Sequence, residues 1–124
     1  MTWTEGRFNS FIKSALRAAS QRWPPKYECL NNAFVGKKVN SKTGRISKHF
    51  KCNCCLGEFP TSDVQVDHIW PVVDPVVGFI SWDEVIKRMF CSVEGFQLLC
   101  KSCHSQKTNV ERQQAKERRN NGKQ

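Results

Sequence analysis

The chain has 124 residues, one domain's length, and an apolar fraction of 39% that leaves only a modest core. Lysine and arginine number 20 against 11 acidic residues, a formal charge of +9, which makes polyanions, and nucleic acid first, the expected partners; a basic surface kept for solubility is the simpler alternative. No apolar run approaches the roughly 20 residues that span a bilayer, and mean hydropathy is −0.57, so no membrane partner is expected.

No signal-like segment follows Met1-Thr2-Trp3-Thr4-Glu5, so a soluble, cytoplasmic protein with reduced thiols is expected. An odd count of seven cysteines then favours metal over disulfides. Phe8, Phe11, Ile12, Ala15, Leu16 and Ala19 recur at the spacing of one helix face. Pro24-Pro25 ends that helix, and Pro25 suits the first turn of a second one carrying Tyr27, Leu30 and Phe34. Residues 1–35 are therefore expected as a helical pair packed on the core, with a DNA-contacting or dimerising arm as the alternative.

Residues 36–49 are expected as a basic loop or β-ribbon, with Asn40-Ser41-Lys42-Thr43-Gly44 able to close a hairpin between Val39 and Ile46. Lys37, Lys38, Lys42, Arg45, Lys48 and Lys51 are candidate nucleic-acid contacts, since no acidic residue interrupts residues 36–51. His49 fits no metal-binding pattern and is expected at the surface or facing DNA.

From Phe50 the pattern changes. Cys52-Asn53-Cys54-Cys55 and Cys100-Lys101-Ser102-Cys103 each place two thiols at the spacing of a zinc knuckle, and together they predict one closed, four-thiolate structural zinc site. Cys52, Cys55, Cys100 and Cys103 are the preferred ligands, with Cys54 in place of Cys55 as the alternative. Gly57 is expected to permit the turn back after the second ligand, while Cys29 and Cys91 are expected to pack as ordinary small apolar residues. Val64-Gln65-Val66 alternates as a strand and delivers Asp67-His68 at its end. Ser81-Trp82-Asp83-Glu84 has the form of a capping box, predicting a short helix that buries Val85, Ile86, Met89 and Phe90 and packs rather than catalyses. Phe96-Gln97-Leu98-Leu99 reads as a second strand, and a polar helix is expected from Cys100 to about Arg118, with residues 119–124 frayed.

The order Cys-x-x-Cys, Asp-His, Leu-Cys-x-x-Cys-His over about residues 50–108 resembles the HNH endonuclease family. The wider run that includes Ser14-Ala15-Leu16-Arg17, Arg22-Trp23-Pro24-Pro25 and Val64-Gln65-Val66-Asp67-His68 is similar to small HNH proteins of tailed phages. The resemblance implies an α+β fold: a small, zinc-stapled ββα-metal domain over residues 50–118, here with an N-terminal helical pair and a helical insertion. It implies that Asp67 and His104 hold a catalytic divalent cation, magnesium or manganese with zinc or nickel as further candidates, and that His68 is the general base. A neutral imidazole with an ordinary pKa of about 6.5 can take a proton from water near neutral pH. His104 has the alternatives of competing for zinc or capping the knuckle. Lys101, Lys107 and Arg112 become candidate phosphate contacts.

One position departs from the family pattern. Many members carry an asparagine before the Leu-Gln of the second strand, where it helps hold the base histidine, and this chain has Gly95 there. Either a backbone carbonyl accepts the His68 Nδ1 proton instead, or the site is weakened or lost. The expected function is a metal-dependent DNA endonuclease, nicking or cutting both strands with little or modest sequence preference. The alternative is a weak or inactive zinc-stabilised nucleic-acid-binding protein, or an adaptor of a phage DNA-packaging or recombination complex.

Overall fold

In the computed structural model, which describes residues 3–122, Thr4 caps the first helix by accepting a hydrogen bond from the Arg7 amide at 3.2 Å. That helix, α1 (Glu5–Ser20), turns Ile12, Leu16 and Ser20 inward and lies against the later insertion helix. Phe8 and Phe11, expected on the buried face, are 52% and 63% exposed. The packed face is centred between them and Ser20, so only part of the apolar stripe covers the core.

Helix α2 (Pro24–Asn32) starts with both prolines in its first turn, where the missing N–H groups have no intrahelical partner to lose. Phe34, expected on this helix, instead begins strand β1 (Phe34–Val39). Sheet pairing captures it: Phe34 faces Phe50 across the ladder with ring centroids 5.9 Å apart, and the Ala33 carbonyl accepts the Lys51 amide at 2.9 Å. Strand β1 and β2 (Ile46–Lys51) form an antiparallel ribbon closed by Asn40, whose amide donates to Arg45 O at 2.7 Å and whose Oδ1 accepts from Lys42 N at 2.9 Å. The basic segment is therefore a β-ribbon. A short third strand, β3 (Glu58–Pro60), pairs with β2. It brings Pro60 opposite His49, which is buried with Nδ1 3.0 Å from Ser47 O and does not face outward as expected.

Strands β4 (Val64–His68) and β5 (Phe96–Cys100) form a separate antiparallel pair, in which Asp67 faces Gln97 and His68 faces Phe96. Between them, Ser81 Oγ accepts the Glu84 amide at 3.2 Å and starts α3 (Trp82–Met89). Val85 and Met89, one turn apart, are buried; Ile86 points outward and is 44% exposed, because so short a helix buries one narrow stripe. Phe90 is half-buried against Trp23, ring edge to face at 5.6 Å.

Helix α4 (Lys101–Asn121) follows β5 without a loop. It runs past Arg118, and Arg119, Asn120 and Asn121 are helical rather than frayed; Lys123 and Gln124 of the expected tail lie outside the described residues. Arg118 secures this end by donating through Nη1 to Pro75 O at 3.2 Å and Asp74 O at 3.4 Å. The whole is a small mixed α+β architecture, and among the described residues no helix is long and apolar enough to cross a membrane. Phe50, Val85, Met89, Phe96 and Leu98 are buried, and one small cluster packs at the cysteines. Cys52, Leu99 and Cys100 form it, with Phe59 and Cys103 packed alongside.

Candidate metal centre and the adjoining Asp-His site

The Cys52 amide donates to Gly57 O at 2.9 Å and the Leu56 amide to Cys52 O at 3.0 Å, folding residues 52–57 into a tight knuckle. Leu56, at φ 65°, takes the left-handed position in this turn rather than Gly57. Glycine at 57 answers a different need: a Cβ there would sit 2.9 Å from the Phe59 ring. The knuckle presents Cys52 and Cys55, the end of β5 presents Cys100 and the first turn of α4 presents Cys103. Their four sulfurs lie within 4.8 Å of one another, Cys55 and Cys100 at 3.9 Å. Tetrahedral zinc with Zn–S of about 2.3 Å puts sulfurs about 3.8 Å apart, so the four cysteines could hold a structural metal such as zinc. Cys54 is exposed and outside this set.

The clustered thiols differ in acidity. Burial opposes ionisation of Cys52, yet backbone N–H groups of Cys100, Cys55 and Cys54 bring it down to about 6. The Cys100 sulfur and burial together push Cys103 strongly up. Four thiolates cannot share this space without a cation to neutralise them.

Asp67 and His68, adjacent at the end of β4, point to opposite sides as strand alternation requires. Asp67, its side chain 12% exposed, faces α4: Oδ1 lies 3.6 Å from His104 Nε2, and Oδ2 accepts from Lys107 Nζ at 3.1 Å and Gln97 Nε2 at 3.2 Å. Lys107 also donates to His68 O at 3.0 Å and pairs with Glu111. Burial works against its charge, but Glu111 and Asp67 outweigh that and hold the ammonium protonated. This expected phosphate contact is thus turned inward.

His68 packs its ring 4.8 Å from Phe96 and places Nε2 2.9 Å from the Met89 carbonyl. A carbonyl only accepts, so Nε2 carries the proton and Nδ1 has the free lone pair. A backbone carbonyl does hold the histidine, but through Nε2 rather than the expected Nδ1. The carbonyl belongs to α3, so the insertion expected only to pack also supports this site. Burial pushes His68 down, helped by the Lys26 and Lys107 charges and opposed by the Met89 hydrogen bond and Asp67, and the net shift favours neutral imidazole.

Of the expected cations, Lys37, Lys38, Lys42, Arg45, Lys48 and Lys51 are exposed on the ribbon, with Lys38 paired to Glu58 and Lys42 3.3 Å from Asp63. Lys101 approaches Asp63 at 3.7 Å, and Arg112 is exposed on α4. Three site contributors escaped the sequence reading: Gln97, the Met89 carbonyl, and Lys26, a half-buried lysine of α2 whose Nζ is 5.9 Å from the Phe96 ring. Gln97 had a signal, since antiparallel pairing of two such strands sets it opposite Asp67. The other two come from segments distant in sequence. Comparison with protein-family models, with curated proteins and with solved structures returns no match.

Gly95 lies in a single helical turn, Val93–Gly95, and its carbonyl accepts the Ile69 amide at 2.9 Å. A Cβ there would meet Cys91 Sγ at 2.5 Å and Cys91 Cβ at 3.1 Å. Gly95→Asn is therefore expected to destabilise the protein by about 1–3 kcal/mol through overpacking, without a gain in activity. Thermal denaturation measures it, and an unchanged midpoint would show that Cys91 yields freely.

Proposed function

We propose that this protein is a metal-dependent DNA endonuclease of the HNH type, with a four-cysteine zinc site as its structural support. The observation that carries the reading is the placement of Asp67 and His104 on one side of β4 and of a hydrogen-bonded His68, with Nδ1 free, on the other. Two adjacent donors of one octahedral cation stand about 3 Å apart at metal–oxygen distances of 2.0–2.1 Å, so Oδ1 of Asp67 and Nε2 of His104, at 3.6 Å, would close by about half an ångström on magnesium or manganese, with positions left for water and phosphate. When bound, that cation supplies neutralisation of the phosphate oxygens and of the leaving 3′ oxygen. His68 Nδ1 takes the proton of the attacking water as its oxygen bonds to phosphorus and the P–O3′ bond breaks. The Met89 carbonyl keeps the ring in the tautomer that does so.

The ribbon supplies the DNA surface in this reading. Lys37 and Lys48 stand directly opposite across β1–β2, and Val39 and Ile46, 62% and 70% exposed, form the next pair on the same face toward the turn. Like charges facing each other cost stability, and a phosphate backbone relieves that cost. Replacing both Lys37 and Lys48 by alanine is expected to lower the slope of log K against log salt by roughly two for duplex DNA. An unchanged slope would remove the ribbon from the interface.

The test of the enzyme is incubation of supercoiled plasmid with zinc-loaded protein and magnesium or manganese; nicked or linear DNA is expected. A second reading, a nucleic-acid-binding zinc protein without catalysis, is favoured by the Lys107 ammonium already neutralising Asp67. Plasmid left intact with every divalent metal, yet bound, would establish that reading instead.

A further inference from the structure

Gln97 stands opposite Asp67 in the β4–β5 register and donates from Nε2 to Asp67 Oδ2 at 3.2 Å. Its Oε1 accepts from Asn53 Nδ2 at 3.1 Å. Asn53 sits inside the knuckle, between Cys52 and Cys55, and its own amide donates to Leu98 O at 2.8 Å, so both its backbone and its side chain grip β5. The direction of this chain is fixed by chemistry: an ionised carboxylate only accepts, so Gln97 must turn its amino group to Asp67 and its oxygen to Asn53.

We infer that Asn53 and Gln97 are positioning residues, a hydrogen-bonded bridge through which the cysteine knuckle orients the Asp67 carboxylate toward a divalent cation. The inference rests on the proposed cation site. Oδ2 is engaged by two donors, Gln97 and Lys107, which leaves Oδ1 directed at His104. Without Gln97 the carboxylate keeps a single tether, on a long lysine side chain that it shares with Glu111. Outer hydrogen bonds of this kind set the orientation of a ligating carboxylate, and their loss typically costs 10–100-fold in metal affinity. Asn53 acts one step further out by holding Gln97 in the rotamer that reaches Asp67.

The experiment is Mn2+ binding to the zinc-loaded full chain, followed by electron paramagnetic resonance, for wild type, Asn53→Ala, Gln97→Met and the double variant, with Asp67→Ala as the reference for loss of the site. Gln97→Met is expected to weaken Mn2+ binding roughly tenfold or more, with zinc content and melting temperature unchanged. Asn53→Ala should weaken it in the same direction, and the double variant should be no weaker than Gln97→Met, because both act through one chain of bonds. Wild-type affinity in both single variants overturns the bridge, as does a lowered melting temperature with Mn2+ affinity unchanged in the folded protein. If Gln97→Met loses zinc, Asn53→Ala, at an exposed residue, decides the matter alone. Failure of the underlying cation site looks different: wild type would bind no Mn2+, or Asp67→Ala would bind it equally well, and the bridge would fall with the site.

Discussion

His68→Ala is expected to reduce plasmid nicking roughly a thousandfold, within the range that general acid–base groups contribute, while zinc content and the melting curve stay close to wild type. The size of the effect follows from where the ring's two nitrogens go. Nε2 is committed to the Met89 carbonyl at 2.9 Å, so one tautomer dominates and Nδ1 is left as the single basic atom. Burial and the nearby lysines keep the ring neutral, the form that can accept a proton. The side chain is only partly buried and lies tilted against Phe96, so its removal costs little beyond that contact and the Met89 hydrogen bond. If the alanine variant nicks as fast as wild type, the water is activated elsewhere and the base assignment is wrong.

Loss of the four-cysteine centre is expected to abolish the cooperative melting transition altogether. Structural zinc sites contribute on the order of 10 kcal/mol of folding free energy, comparable with the whole stability of about 5–15 kcal/mol of an ordinary domain. This chain has little to set against that loss. Two members of the buried cluster Cys52, Leu99 and Cys100 are the proposed ligands themselves, and the larger apolar side chains buried besides Leu99 are Phe50, Val85, Met89, Phe96 and Leu98, while Phe8, Phe11, Val39 and Ile46 remain largely exposed. Cys100→Ser, or removal of zinc by a strong chelator, should therefore give an unfolded chain by circular dichroism. Dialysis into magnesium-free buffer should stop nicking and leave the fold intact. An intact melting curve after zinc removal, or equal loss of fold in both treatments, would show that the structure does not depend on a separate thiolate site.

Some of this was readable along the chain because it depends on local spacing. The apolar repeat of residues 8–19, the proline pair, the Ser81 cap and the alternation at Val64-Gln65-Val66 each fix an element through its own backbone geometry. Where neighbours in space compete, reading from sequence went astray. Phe34 left its helix for a strand because Phe50 offered a partner, and His49 became buried because β3 closed over β2. Lys107 resembled any exposed helical lysine until Asp67, Glu111 and the His68 carbonyl surrounded it.

The sequence by itself determined the cysteine pairs, the Asp67-His68 step and the excess of positive charge, since ligand spacing and net charge are properties of the chain. Only the tertiary structure decided that Cys55 rather than Cys54 joins the cluster, that Met89 O holds His68 through Nε2, and that Asn53 and Gln97 connect the knuckle to Asp67. Those outcomes depend on contacts between groups 21 to 45 positions apart, whose meeting is fixed by strand register and helix packing rather than by any local pattern.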